Sequence, residues 1–157
     1  MGELAQKAIA SIRADSGDMQ DSFLIAGELL ARSKFSNYRS GFDDIDAEQA
    51  TDEEIEDIKK VLVEYLEKHE DPRKFGGALC ALGKSYDPTF LPIYIAKLEQ
   101  ILRSLLDCNG ALFQALVVLN RFGEPVFEGT SQSIEEVGRH VEQAREYLKK
   151  HGILVPW

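Results

Sequence analysis

The sequence predicts an all-α protein: a short stack of antiparallel helix pairs, about six to seven helices, in one domain spanning residues 1–157. Three observations predict it. Helix-start signals recur ahead of apolar residues spaced three and four apart. No sustained apolar–polar alternation bounded by turn residues marks a strand. The chain also matches itself when slid by 37 residues, a period on the scale of stacked helical repeats.

Each element has a local cause. Leu4, Ala8, Ile9 and Ile12 predict a first helix, and the run from Phe23 to Arg32 a second. The remainder of residues 1–50 reads as irregular, with "SKFSNYRSGFDDIDAEQA" (33–50) as a loop. Thr51 followed by Glu54 forms a capping box, and Ile55, Ile58, Leu62, Tyr65 and Leu66 share one face of the helix behind it. Asp71-Pro72 opens the next helix, with Asp as N-cap and Pro where its missing N–H costs nothing. Phe75, Ala78, Leu79 and Leu82 form its stripe, and Gly83 is a stop signal.

Asp87-Pro88 repeats the start signal, and Pro92 stands one turn further on, where it is expected to kink the helix near its start. Leu91, Tyr94, Ile95, Leu98, Ile101, Leu102 and Leu105 make a wide apolar face. Asn109-Gly110 opens "ALFQALVVLNRFG", apolar nearly all round and so expected to be buried on most sides. Ser133 with Glu136 makes a second capping box, Ile134, Val137, Val141, Ala144 and Leu148 the stripe behind it, and Gly152 the stop. The apolar tail "ILVPW" is expected to fold back on the last helix.

At the 37-residue shift, Ala78-Leu79 falls on Ala115-Leu116, Leu82 on Leu119, Asp87-Pro88 on Glu124-Pro125 and Phe90 on Phe127. Here the chain resembles the HEAT repeat. "ALCALGKSYDPTFLPIYIAKL" looks like that family's unit: a first helix ending in Ala-Leu-x-x-Leu-Gly, a turn closed by Asp-Pro, and a second helix with proline about one turn in. The resemblance implies a right-handed α-solenoid with units at about 71–106 and 109–150. The second unit departs from the pattern: Glu124 replaces Asp, no inner proline follows, and "FEGTSQ" lengthens the turn. Before Thr51 the pattern is absent. A plain helical bundle would use the same caps.

Composition narrows the function. The apolar fraction is 44%, and no apolar run approaches a membrane span. The N-terminus carries Glu3 and no long apolar block, so it does not read as a secretory signal, and Gln6 stands where a myristoylation signal needs Ser or Thr. Cys80 reads as a small buried hydrophobe, and Cys80 with Cys108 as neither a disulfide nor a metal framework, which fits a reducing, cytoplasmic setting. The net charge of −9 disfavours nucleic acid and anionic membranes and permits a basic protein partner.

Chemistry-bearing motifs are sparse. His69 and His151 close helices, where the dipole favours them, and His140 reads as mid-helix on a polar face. There is no His-Glu-x-x-His, Cys-x-x-Cys, phosphate loop or Gly-x-Ser-x-Gly elbow. Gly76-Gly77 reads as close helix packing before a phosphate cradle. No catalytic, cofactor-binding or metal-ligating residue is assigned, no cofactor or small-molecule substrate is expected, and the chain is read as a non-enzyme.

One segment stands out. Nine acids and no base lie between Asp43 and Asp57. A calcium loop counted from Asp44 fails, with Gln49 at its sixth position and Ile55 at its twelfth. Helix-dipole compensation accounts for Asp52 to Glu54 but not for Asp43 to Glu48. The alternatives are a solvated helix start and a docking surface for a basic partner. Upstream, aromatics interleave with Lys34, Asn37 and Arg39; they either form an interface or close over the first core layer. The candidate partner-binding residues are Phe35, Tyr38, Phe42, Asp43, Asp44, Asp46, Glu48, Asp52, Glu53 and Glu56.

HEAT-like units build partner surfaces, so the resemblance implies protein binding. A small acidic helical chain also looks like bacterial immunity proteins, which hold a toxin inactive; many such toxins are basic nucleases. The expectation is an immunity protein that neutralises such a toxin by direct binding, with an adaptor or regulatory subunit as the alternative. HEAT-like DNA glycosylases need a basic groove, which this acidity opposes.

Overall fold

The computed structural model describes residues 2–15, 19–35, 37–39, 50–104, 108–127 and 137–155. Among them are seven α-helices and no strand: α1 (Glu3–Ala14), α2 (Gln20–Lys34), α3 (Asp52–Lys68), α4 (Pro72–Gly83), α5 (Leu91–Arg103), α6 (Asn109–Arg121) and α7 (Val137–Lys150). The protein is all-α, as the spacing of its apolar residues predicts.

The predicted caps form. Thr51 Oγ1 accepts from the Glu54 N–H at 3.1 Å, and Glu54 Oε1 accepts from the Thr51 N–H at 3.0 Å, closing the capping box of α3. Asp71 accepts from the Arg73 N–H at 3.0 Å ahead of Pro72. After α6 and α7, Gly123 (φ 88°) and Gly152 (φ 78°) take the left-handed conformation. The residue after each donates back to the helix, Glu124 to Leu119 O at 3.0 Å and Ile153 to Leu148 O at 2.9 Å. Ser133, Ile134 and Glu136, the second predicted capping box and the start of its stripe, lie outside the described residues, as does Leu105.

Three readings need correction. Asp87-Pro88 opens a single 3₁₀ turn, Pro88–Phe90, and α5 begins only at Leu91. Pro92 is therefore in the first turn, where its missing N–H would have had no partner, and it does not kink a helix interior. His140 is not on a polar face: it is 1% exposed, between Phe113 (rings 5.6 Å apart) and Phe127 (5.7 Å). Gly83 does end α4, but the capping residue Lys84 is right-handed, so the glycine is there for packing.

The helices form two rows. On one side α2, α4 and α6 lie side by side and parallel: Phe23 meets Gly77 and Gly27 meets Ala81, then Gly76 meets Ala111 and Gly83 meets Val118. Equal steps on both partners fix the direction. On the other side α1 and α3 are also parallel, with Gln6 bonded to Glu54 near their starts and Asp15 to Lys68 beyond their ends. Between rows the sense reverses. Along α5, Tyr94 contacts Leu79 and Lys97 contacts Phe75; Tyr94 also meets Phe122, and Ile101 O meets Cys108, at opposite ends of α6. α7 closes the far side against α5 and α6.

Every apolar residue of the 37-residue match that sits in α4 or α6 is fully buried: Ala78, Leu79, Leu82, Ala115, Leu116 and Leu119. Such burial contributes about 1.5–3 kcal/mol for each leucine, so the match marks core contacts. Gly77 sets a close helix approach, as read from the sequence: a Cβ there would meet Phe23 Cδ2 at 2.8 Å, whereas one on Gly76 would meet Ala111 at an ordinary 3.4 Å. Lys97, 5% exposed, reaches from α5 to His69 O at 2.8 Å and lies over the Phe75 ring, and burial lowers its pKa. Of the tail, residues 153–155 are described: Val155 is buried and Leu154 O accepts from Arg103 of α5 at 3.0 Å, while Pro156 and Trp157 lie outside the described residues. Among the described residues no helix is long and apolar enough to cross a membrane.

Candidate functional site

The start of α3 sorts its carboxylates into two kinds. Glu54 turns inward. It is 7% exposed and holds the Thr51 N–H and the Gln6 amide (2.8 Å) from α1. The Thr51 N–H, then the Gln6 amide, keep its pKa below the usual value. That carboxylate is spent on the fold. Asp52, Glu53 and Glu56 turn outward and are exposed. Glu56 pairs only with Lys59, at 3.3 Å on the same helix, while 72% of its side chain stays in solvent.

Sequence reasoning missed two further acids at this place. Glu3 and Asp57 join Glu53 around a hollow of about 540 Å³ between the starts of α1 and α3, with Gln6 and Glu54 on its wall. Glu3 belongs to a different helix, so only the parallel packing of α1 on α3 brings it here. Asp57 follows from α3 periodicity, one turn after Glu53. Among the described lining residues there are three further carboxylates beside Glu54 and no Lys, Arg or His.

The two described aromatic candidates, Phe35 and Tyr38, lie at the same end of the molecule. Phe35 ends α2 and is 40% exposed, with its ring edge-on to Tyr86 at 5.1 Å. Tyr86 precedes Asp87, and Asp87 lies 3.8 Å from Lys59 of α3. Tyr86 was not legible as special: it takes φ 52°, rare for a large side chain, and the Arg121 guanidinium stacks 5.5 Å from its ring. Tyr38 is half-buried and donates its hydroxyl to Glu28, which also accepts from Lys84 Nζ at 2.5 Å. Glu28 is only 4% exposed, so Tyr38 pins the segment after α2 to the fold. Of the two aromatics, Phe35 is the one left available to a partner.

Phe42, Asp43, Asp44, Asp46 and Glu48 lie outside the described residues. Among the described residues no group of three or more His, Cys, Asp or Glu is placed to hold a metal ion. Among the described residues Cys80 and Cys108 are in no disulfide, and each is half-buried. No family model, no curated protein and no solved structure matches the chain.

Proposed function

We propose that this chain is a non-catalytic protein-binding module with a HEAT-like helical scaffold, whose partner is basic and docks on the acidic end formed by α1 and α3. The observation that carries this reading is the division of labour at the start of α3. Of these acids only Glu54 takes part in the capping box with Thr51, and Asp52, Glu53, Glu56, Glu3 and Asp57 stay outside it. The helix dipole favours acids in the first turn and so covers Asp52 and Glu53, but Glu56 and Asp57 lie beyond that turn and Glu3 on another helix. The excess, next to an acidic run that continues upstream to Asp43, suits electrostatic steering of a cationic surface.

The specific form we favour is an immunity protein that neutralises a basic, nuclease-type toxin. Carboxylates mimic the phosphates of the toxin's substrate, and the helical body covers the cleft. Fold and charge, by analogy, support this form. Steering of this kind raises association rates by roughly ten- to a thousandfold at low salt. The test is Asp43→Lys, Asp44→Lys, Asp46→Lys and Glu48→Lys together. Association with the basic partner should slow sharply and lose most of its salt dependence. Unchanged on-rates would remove the acidic run from the interface. The second reading, an adaptor or regulatory subunit, draws on the grooved outer face of α2, α4 and α6.

A further inference from the structure

We infer that the outer face of α2, α4 and α6 docks an extended, acidic segment of a partner protein. This surface lies apart from the carboxylates at the starts of α1 and α3 and takes the opposite charge.

The face is grooved on both sides of α4. A groove of about 650 Å³ runs between α2 and α4, and one of about 670 Å³ between α4 and α6. Both are lined by Arg73, Gly77 and Cys80, so they join over the back of α4. Residues 73, 77, 80 and 84 form one stripe along the helix. Its two middle members, Gly77 and Cys80, are small, which leaves a saddle between Arg73 at one end and Lys84 at the other. Neighbouring helix axes stand about 8–10 Å apart, so crossing from α2 to α6 takes about 18 Å. An extended chain covers that with about six residues at ~3.3 Å each.

Charge selects the occupant. The chain has 27 acids, yet none lies within α4 or α6. Arg73 and Lys74 are exposed at the groove, and Lys74 has no ion pair among the described residues. Arg73 pairs with Asp71 at 3.0 Å in solvent, a contact that a second carboxylate can share or replace. The acids that approach the groove are already engaged. Asp15 holds Lys68 (3.1 Å) and His69 (2.7 Å), and Glu28 lies buried beneath Lys84. Leu24, 37% exposed on the α2 wall, offers an apolar seat between the cations. Carboxylates beside Arg73 and Lys74 and an apolar side chain on Leu24 describe the matching segment, Lys84 being held by Glu28.

Cys80 reports on the saddle directly. In a Cys108→Ser variant, the rate of Cys80 alkylation by a maleimide is measured with an acetylated peptide of mixed Glu and Asp carrying one central Leu, and with the matched Lys/Arg peptide. The acidic peptide should slow alkylation by roughly tenfold near ninety per cent occupancy, and the basic one should not. Lys74→Glu, a fully solvated change, should weaken the protection, and Arg73→Glu with Lys74→Glu should abolish it with the melting temperature little changed. No slowing, or equal slowing by both peptides, overturns the inference. Protection that grows with protein concentration alone also overturns it and gives the face to a second copy. Asp52, Glu53 and Glu56 are untouched, so this result is separate from the fate of the basic-partner reading.

Discussion

Gly83 and Val118 approach so closely that a Cβ on the glycine would stand 2.2 Å from Val118 Cγ2 and 3.0 Å from Cγ1. The contact sits where the C-terminal halves of the parallel helices α4 and α6 meet, and it fixes how near they lie. Gly83→Ala forces the two helices apart and should cost about 1–3 kcal/mol. Val118→Ala removes the obstructing methyls, so the same glycine change should cost much less in that background. Urea unfolding of the two single variants and the double variant reads the coupling. Additive losses would show that the contact does not set the helix spacing.

Asp15 ends α1 at φ 52° and joins it to the end of α3 through Lys68 and His69. The hydrogen bond from Lys68, then that from His69, hold its pKa below the ordinary 3.8 despite some burial. A carboxylate with a depressed folded value adds stability above its unfolded value, lost as pH falls through the folded one. The stabilisation should be complete at neutral pH and disappear below about pH 4. Asp15→Asn keeps a residue that tolerates the left-handed backbone. It should lower stability at pH 7 by about 1 kcal/mol and flatten the acid limb of a stability–pH curve. Glu54, also depressed, loses its share over the same limb and leaves a residual slope. Superimposable curves for the variant and the parent would contradict the assignment.

Glu28 is the buried member of a Tyr38–Glu28–Lys84 network. Lys84→Met leaves a carboxylate in the interior with only a phenol for company and should cost about 3 kcal/mol. Tyr38→Phe removes one hydrogen bond and should cost about 1 kcal/mol. Its sharper signature is local. The Tyr38 N–H, bonded to Phe35 O at 3.1 Å, should exchange faster with deuterium while the α4 amides stay protected.

His140 Nε2 is buried among Phe113 and Phe127 without a hydrogen-bond partner among the described residues. An unsatisfied buried polar atom is a standing cost, and an apolar side chain of similar size does not carry it. His140→Leu should therefore stabilise the fold by about 1 kcal/mol, seen as a raised melting temperature. A loss of stability would show that the imidazole has a role that this packing does not reveal.

What was legible in the sequence was what local physics decides. Thr51 and Glu54, Asp71 and Pro72, and the stop at Gly152 act within one turn, and the structure places each as read. The core stripe of α4 follows from periodicity alone. His140 was misread because its cover, Phe127, comes from the stretch after α6 that folds onto α7. Gly83 was read as a stop because its true reason, Val118, is 35 residues away. At the candidate site, Asp52, Glu53 and Glu56 were legible as members of the acidic run, the first two already accounted for by the helix dipole. Glu3 was not, since only the packing of α1 on α3 brings it there. Tyr86 gave no signal, because a left-handed tyrosine has no sequence signature.

The central claim, a basic partner held by the acidic end, is tested most directly by affinity capture from the native cell extract at low and high salt. Wild type is compared with an Asp52→Lys, Glu53→Lys, Glu56→Lys variant whose Thr51–Glu54 cap is intact. The account predicts one basic protein captured by the wild type at low salt, released at high salt, and absent from the variant. Equal capture by both proteins, or a partner that withstands high salt, would contradict it.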